Sequence, residues 1–388
     1  MLEGAAVAVV LVAATLVVGV LGGGGSSGSS GTTPSSPPTT ATPAPAKPPP
    51  TTEAFGANVG QLFNDRDYTP AQVDAQLAAL RRAGASVARA DALWEWAEPA
   101  PPTDGVHHYD WSSDDTIASA LASNHLQWLP IVDYSAPWAQ SVSGQDHSPP
   151  SDPGDYAAYA AALARRYGPG GSFWSSHPGL TPDPVTTYEI WNEPDNPAFW
   201  SPKPNPSAYA TLYEVARNAI DAAQPDARVL VGGLTHPASF LTDMLAAAPA
   251  LKNQIDGVAI HPYGPSPNAV LASLRAARLA LGSLGLPTVP LYVTEFGWTT
   301  SPRGALDWAP AAARPHYIES TLSALGHLDC GVAAALLYTW VTPERDPANA
   351  QDWFGISAPS AAPTPDTAMF AAGLHAATSA GPTLDLCA

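Results

Sequence analysis

The feature that most constrains this chain is an alternation that begins at residue 55 and continues to the C-terminus. Short apolar runs with strand character are separated by longer stretches with helical periodicity. The strand-like runs are FGANVG (55–60), SVARADALW (86–94), QWLPIVDYS (127–135), TTYEIWNEPD (186–195), RVLVGGL (228–234), DGVAIHPYG (256–264), PLYVTEFGW (290–298) and AALLYTWVT (334–342). The intervening helices are equally legible. Thr69 and Pro70 open one whose Val73, Leu77 and Leu80 share a face before Gly84 stops it. Another, in 206–225, repeats Tyr209, Leu212, Tyr213, Ala216 and Ile220 at helical spacing. Such alternation predicts a parallel sheet with helices outside it, and eight repeats predict a (β/α)8 barrel with a few enlarged loops.

The first 52 residues do not belong to that pattern. Residues 5–21 form an uncharged apolar run of 17, at the short end for a bilayer span at about 1.5 Å per residue. They are expected to be a signal peptide or a membrane anchor (1–21), although no Lys or Arg precedes them and no clean A-x-A site follows. A start upstream of Met1, carrying a basic segment, is one expectation. Residues 22–52 are almost wholly Gly, Ser, Thr, Pro and Ala, which cannot build a core and read as a linker. The catalytic-type domain is then 53–388, in a protein expected to be exported, extracellular or at the cell surface, and monomeric.

Charge narrows the partners. A net charge of -18 with only 16 basic residues argues against nucleic acid and against polyanionic substrates. The two cysteines, Cys330 and Cys387, are read as a disulfide in an exported chain, with two buried thiols as the alternative. In a barrel, Cys330 precedes the eighth strand and Cys387 follows the last helix, so both fall at the bottom. The sequence has no HExxH, no cysteine cluster, no calcium loop and no phosphate-binding glycine loop, so no metal or cofactor is expected.

Active sites of such barrels lie at the C-terminal ends of the strands. Those ends carry Arg89 and Asp91 on strand 2, Trp138 just beyond strand 3, Asn192 and Glu193 on strand 4, His261 and Tyr263 on strand 6, Glu295 on strand 7 and Trp340 on strand 8. Alternation puts Glu189, Trp191 and Glu193 on one face, His261 with Tyr263, and Val293 with Glu295. Glu193 sits where Pro194 breaks the strand, and Glu189 about one layer deeper. A buried carboxylate needs a partner, and Arg89 on a neighbouring inner strand is the candidate. Glu189 is therefore read as structural. Glu193 and Glu295 facing each other across the mouth are equipment for glycosidic cleavage, one acid protonating the leaving oxygen while the other attacks the anomeric carbon.

WNEP (191–194) at the end of strand 4 and TEFGW (294–298) at the end of strand 7 resemble the retaining glycoside hydrolases with acid/base and nucleophile on those two strands, the superfamily of cellulase-like family 5 and xylosidase-like family 39. The resemblance covers roughly 54–380. It implies Glu193 as acid/base and Glu295 as nucleophile, with Asn192 bonding the sugar 2-hydroxyl. It further implies that Arg89 and Tyr263 hold the nucleophile ionised, that His261 lines the reacting subsite, and that Trp340 lies under the sugar. Trp298 and Trp138 join the expected substrate-binding set. Trp94, Glu98–Pro99 and YDW (109–111) look like the second-strand loop of family 39-like members, whereas DYSAPW (133–138) departs from the histidine many cellulase-like members carry after strand 3. The expected substrate is a poly- or oligosaccharide. A non-catalytic carbohydrate-binding surface protein and a transglycosylase remodelling envelope polysaccharide are the alternatives.

Overall fold

The computed structural model describes residues 54–64, 67–302, 304–342 and 346–388. The leader or anchor expected at 1–21 and the linker at 22–52 lie outside the described residues. Eight strands, β1 (Ala54–Asn58), β2 (Val87–Leu93), β3 (Gln127–Asp133), β4 (Thr187–Ile190), β5 (Arg228–Leu234), β6 (Gly257–Ile260), β7 (Leu291–Phe296) and β8 (Val332–Leu337), pair in parallel, and β8 pairs with β1 to close a barrel. The main helix after each strand is, in order, α1 (Pro70–Arg82), α2 (Ser112–Ser123), α3 (Pro153–Tyr167), α4 (Pro206–Ala223), α5 (Pro237–Ala247), α6 (Pro267–Ser283), α7 (Arg314–Leu325) and α8 (Pro365–Thr378). The (β/α)8 expectation holds. Among the described residues no helix is long and apolar enough to cross a membrane.

Proline explains where the helices start. All but α2 carry Pro in the first turn, where the missing N–H has no intrahelical partner to lose. Just before it, the side chains of Thr69, Asp152, Asn205, Ser266 and Thr364 accept from first-turn backbone N–H groups. The buried face of α4 is Tyr209, Leu212, Tyr213, Ala216 and Ile220 with Ala210, as the spacing predicts.

Inside the barrel the side chains form layers. Val87, Leu129, Leu230, Ala259, Tyr292, Ala334 and Leu336 form an apolar layer separate from the larger core between strands and helices. Two residues further up β2 comes Arg89, level with Glu189 of β4, so the next layer is polar. Below the strands, Cys330 and Cys387 are disulfide-bonded. Asp329 beside them accepts the backbone N–H groups of Leu386, Cys387 and Ala388, fixing the C-terminus to the bottom of β8.

Three strands end four or five residues short of their sequence runs, at Ile190, Ile260 and Leu337. Past Ile190, Trp191 (φ +66°) and Glu193 (φ +45°) are in the left-handed region, uncommon for residues with a side chain. Period-two alternation stops there, so Trp191 does not share the face of Glu189. Its ring packs on Tyr134, Tyr156 of α3 and Trp200 instead. In β7 a register shift between Val293 and Phe296 has the same effect. Thr294 reaches inward to Glu189 and His261, Glu295 next to it also enters the mouth, and Val293 stays in the outer core, so the expected pairing of Val293 with Glu295 is corrected.

Candidate active site

Arg89 organises the mouth. Its guanidinium has five N–H donors, and all five are placed. Nε and Nη2 grip Glu189 at 2.8 and 3.0 Å, Nη1 reaches Asn58 Oδ1 at 2.8 Å and Glu295 Oε1 at 2.6 Å, and Nη2 also reaches Asn192 Oδ1 at 3.0 Å. Asn58 in turn donates to the carbonyls of Thr294 and Leu337, tying β1 to β7 and β8. Glu189 is fully buried and also accepts the Gly233 N–H at 2.8 Å, which is the structural role its depth suggested. Gly233 is required where it stands, because a Cβ there would lie 2.0 Å from Nε2 of His261.

Glu193 and Glu295 meet around His261. Its Nδ1 is 2.8 Å from Glu193 Oε1 and 3.7 Å from Glu295 Oε2, and one oxygen of each glutamate lies with an imidazole nitrogen inside 4.8 Å. The second oxygen of Glu193 accepts from Asn196 Nδ2 at 2.6 Å, and Glu295 Oε2 accepts the Tyr263 hydroxyl at 2.7 Å. These surroundings push the two acids apart. Burial raises Glu193 above its ordinary carboxylate value, with the charge of Glu295 adding to it against the opposing effect of His261. Burial would raise Glu295 too, but His261, Arg89 and the Tyr263 hydroxyl outweigh it and hold that carboxyl below its ordinary value. His261, depressed by burial but facing both glutamates, ends above its ordinary value. A pair separated in this way has an acid member and an ionised member.

No family model matches the sequence. A stretch of 137 residues, 30% of this chain, is 26% identical to a β-xylosidase of Geobacillus stearothermophilus and spans 26% of that protein. Among solved structures, a monomeric β-xylosidase from Caulobacter crescentus CB15 matches with a TM-score of 0.62 and 21% identity over 83% of this chain and 68% of that one. The GH39 enzyme from Xanthomonas axonopodis pv. citri gives 0.62 and 20% over 83% and 65%. GH5_18 from Streptomyces cattleya gives 0.64 and 16% over 86% and 82%. The fold is that of these glycoside hydrolases. The chain spans about a quarter of the curated xylosidase and about two thirds of the first two structures.

Within this glycoside hydrolase fold, Arg89, Asn192, Glu193, His261, Tyr263 and Glu295 converge, and three expected aromatics do not join them. Trp340 lies beyond the true end of β8, is 1% exposed, donates its N–H to Gln76 of α1 and packs on Phe370 of α8. It is core, because β8 ends three residues before it and its ring turns to the helices. Trp298, also 1% exposed, donates to the Gly264 carbonyl and packs on Tyr317 of α7. Trp138 is half-buried, donates to the Glu98 carbonyl and packs edge-on to Trp94, so its ring braces the loop after β2. His107 in that loop bonds Glu98. The aromatic at the mouth after β8 is Tyr338, half-buried, packed on Tyr263 and Phe354, and in electrostatic reach of Glu295 and Glu193. Asn58, Asn196 and Tyr338 escaped the sequence reading. Only Asn196, three residues after Glu193, had a positional signal.

Two groups of described residues have ligand spacing for a metal. Cys330 and Cys387 are committed to their disulfide, and the Glu193, His261 and Glu295 group already has the Arg89 guanidinium 2.6 Å from a glutamate oxygen. A fixed cation there disfavours a second one.

Proposed function

We propose that the protein is a retaining glycoside hydrolase acting on a β-linked poly- or oligosaccharide, with Glu193 as acid/base and Glu295 as nucleophile. The observation that carries this reading is the opposed tuning of two carboxyls whose oxygens approach within 4.8 Å. Separations of about 5 Å leave room for direct attack on the anomeric carbon, whereas inverting pairs stand roughly 6.5–9.5 Å apart to admit a water.

Glu193, protonated, gives its proton to the glycosidic oxygen as the bond to the anomeric carbon breaks. Glu295, ionised and aligned by Arg89 and Tyr263, forms the new bond to that carbon. Once esterified, Glu295 no longer carries the charge that helped raise Glu193, whose acidity rises, so Glu193 accepts a proton from the water that releases the sugar. Asn192, its Oδ1 fixed by Arg89, is the residue proposed to bond the hydroxyl next to the anomeric carbon. The Cys330–Cys387 disulfide supports an oxidising, exported location.

The β-xylosidases among the similar proteins make aryl β-xylosides the first substrates to try, followed by β-glucans, xylans, mannans, galactans and envelope polysaccharides. Residues 53–388 should release reducing ends from one class, and Glu295→Gln should release none. NMR of the first-formed product should show the starting anomer. First formation of the opposite anomer would refute retention, and silence on every substrate together with retained polysaccharide binding would point to a binding module.

A further inference from the structure

Two more carboxyl groups face the barrel interior, and the mechanism uses neither. Asp91 follows Arg89 by two residues on β2 and so lies on the same inner face, one layer nearer the mouth. Asp133 ends β3 in register with Leu93, and alternates with Leu129 of the inner apolar layer, so it also points inward. Their access to solvent differs: Asp91 is partly exposed and Asp133 is fully buried. Asp91 is held by Asn64 Nδ2 at 2.6 Å, and Gly60 leaves it room, since a Cβ there would lie 2.6 Å from the same carboxyl oxygen. Neither oxygen of Asp133 has a hydrogen-bond partner. An unpartnered buried carboxyl is costly, and the protein by itself does not satisfy this one.

We propose that Asp91, backed by the buried Asp133, forms the wall of the reacting subsite that takes the sugar hydroxyls remote from the anomeric carbon, those at C3 and C4, with Asp91 as the contact. This rests on the hydrolase reading above. The anomeric carbon lies between Glu193 beyond β4 and Glu295 on β7, and β2 and β3 stand across the barrel from β6 and β7. The far side of the ring therefore turns toward the two aspartates. A hydroxyl carries both a donor and an acceptor. Asp91, whose carboxyl pKa is raised by burial and partly restored by the Asn64 amide, keeps acceptor oxygens and takes the donor. Burial, reinforced by the charge of Asp91, pushes the Asp133 carboxyl well above the usual range, so it keeps its proton and does not set a second charge against Asp91. A sugar bearing its own carboxylate would be repelled by the same wall.

The experiment compares 4-nitrophenyl β-glycosides carrying all hydroxyls with their 3-deoxy and 4-deoxy forms, on the parent and on Asp91→Ala, Asp91→Asn and Asp133→Leu. The parent should lose kcat/KM on the order of 10- to 100-fold when the contacted hydroxyl is removed. Asp91→Ala should lose a similar factor on the intact glycoside and almost nothing further on the deoxy one. Asp91→Asn, which keeps the shape, should reproduce this if alanine fails to fold. Asp133→Leu should raise Tm, because it removes an unpartnered buried acid, and yet shrink the same discrimination. Undiminished deoxy discrimination in both Asp91 variants overturns the proposal, and a higher Tm with discrimination intact removes Asp133 from it. If the parent turns over no intact glycoside, the hydrolase reading falls and this inference falls with it.

Discussion

Glu189 and Glu193 are four residues apart, one inside β4 and the other just past its end, and they should fail in opposite ways when mutated. Glu189→Gln keeps the shape but removes the charge that faces Arg89. Glu189 accepts from Arg89 twice, from the Gly233 N–H and from the Thr294 hydroxyl, all in a site with no solvent access. A glutamine offers one acceptor oxygen there and turns an NH2 toward donors. Breaking a buried ion pair from one side costs about 3–5 kcal/mol, a large part of the roughly 5–15 kcal/mol that holds a domain together. Urea unfolding of residues 53–388 should show the extrapolated stability falling by that amount, through a lower midpoint with the slope unchanged. Glu193→Gln should show the reverse. Its folded pKa is raised, so the carboxyl's contribution to stability is full below its unfolded pKa and is lost as pH rises through the folded value. An amide does not titrate, so at neutral pH this variant should be as stable as the parent, or more so, while its activity on poor leaving groups collapses. A loss below about 1 kcal/mol for Glu189→Gln, the size expected of an exposed pair, would refute the assignment of Glu189 as the buried anchor of Arg89.

The proposed mechanism requires Glu295 ionised and Glu193 protonated, so kcat/KM should be bell-shaped in pH, with the acid limb below the ordinary 4.5 of a glutamate and the alkaline limb above it. Tyr263→Phe removes a bond to the Glu295 carboxylate and should move the acid limb upward; an unmoved limb would contradict the proposed role of Glu295. Tyr338→Ala should raise KM several-fold while Trp340→Phe lowers Tm and leaves KM alone, and the opposite pattern would restore Trp340 to the subsite. Replacing Cys330 and Cys387 together by Ser opens a closure spanning 57 residues and should cost up to about 4 kcal/mol by the chain-entropy model, with kcat unchanged because the bridge is at the end of the barrel away from the site.

The sequence by itself determined the barrel, its eight strands and most of its polar mouth. The reason is local: proline and capping side chains mark helix starts, period-two and helical patterns mark faces, and a parallel barrel places strand ends on one side. Glu189 was legible as structural because depth along a strand is a count of residues. Tertiary structure decided what happens where strands stop. After Ile190 the backbone enters the left-handed region, in β7 a bulge turns both Thr294 and Glu295 inward, and β8 ends before Tyr338. Each departure breaks the alternation on which a reading of facing depends, which is why Trp340 and Trp298 were assigned to the sugar and belong to the core. Partnership also escaped the sequence. That Arg89 has an acceptor for every donor, and that Asp133 has no donor for either oxygen, are properties of side chains brought together from distant strands.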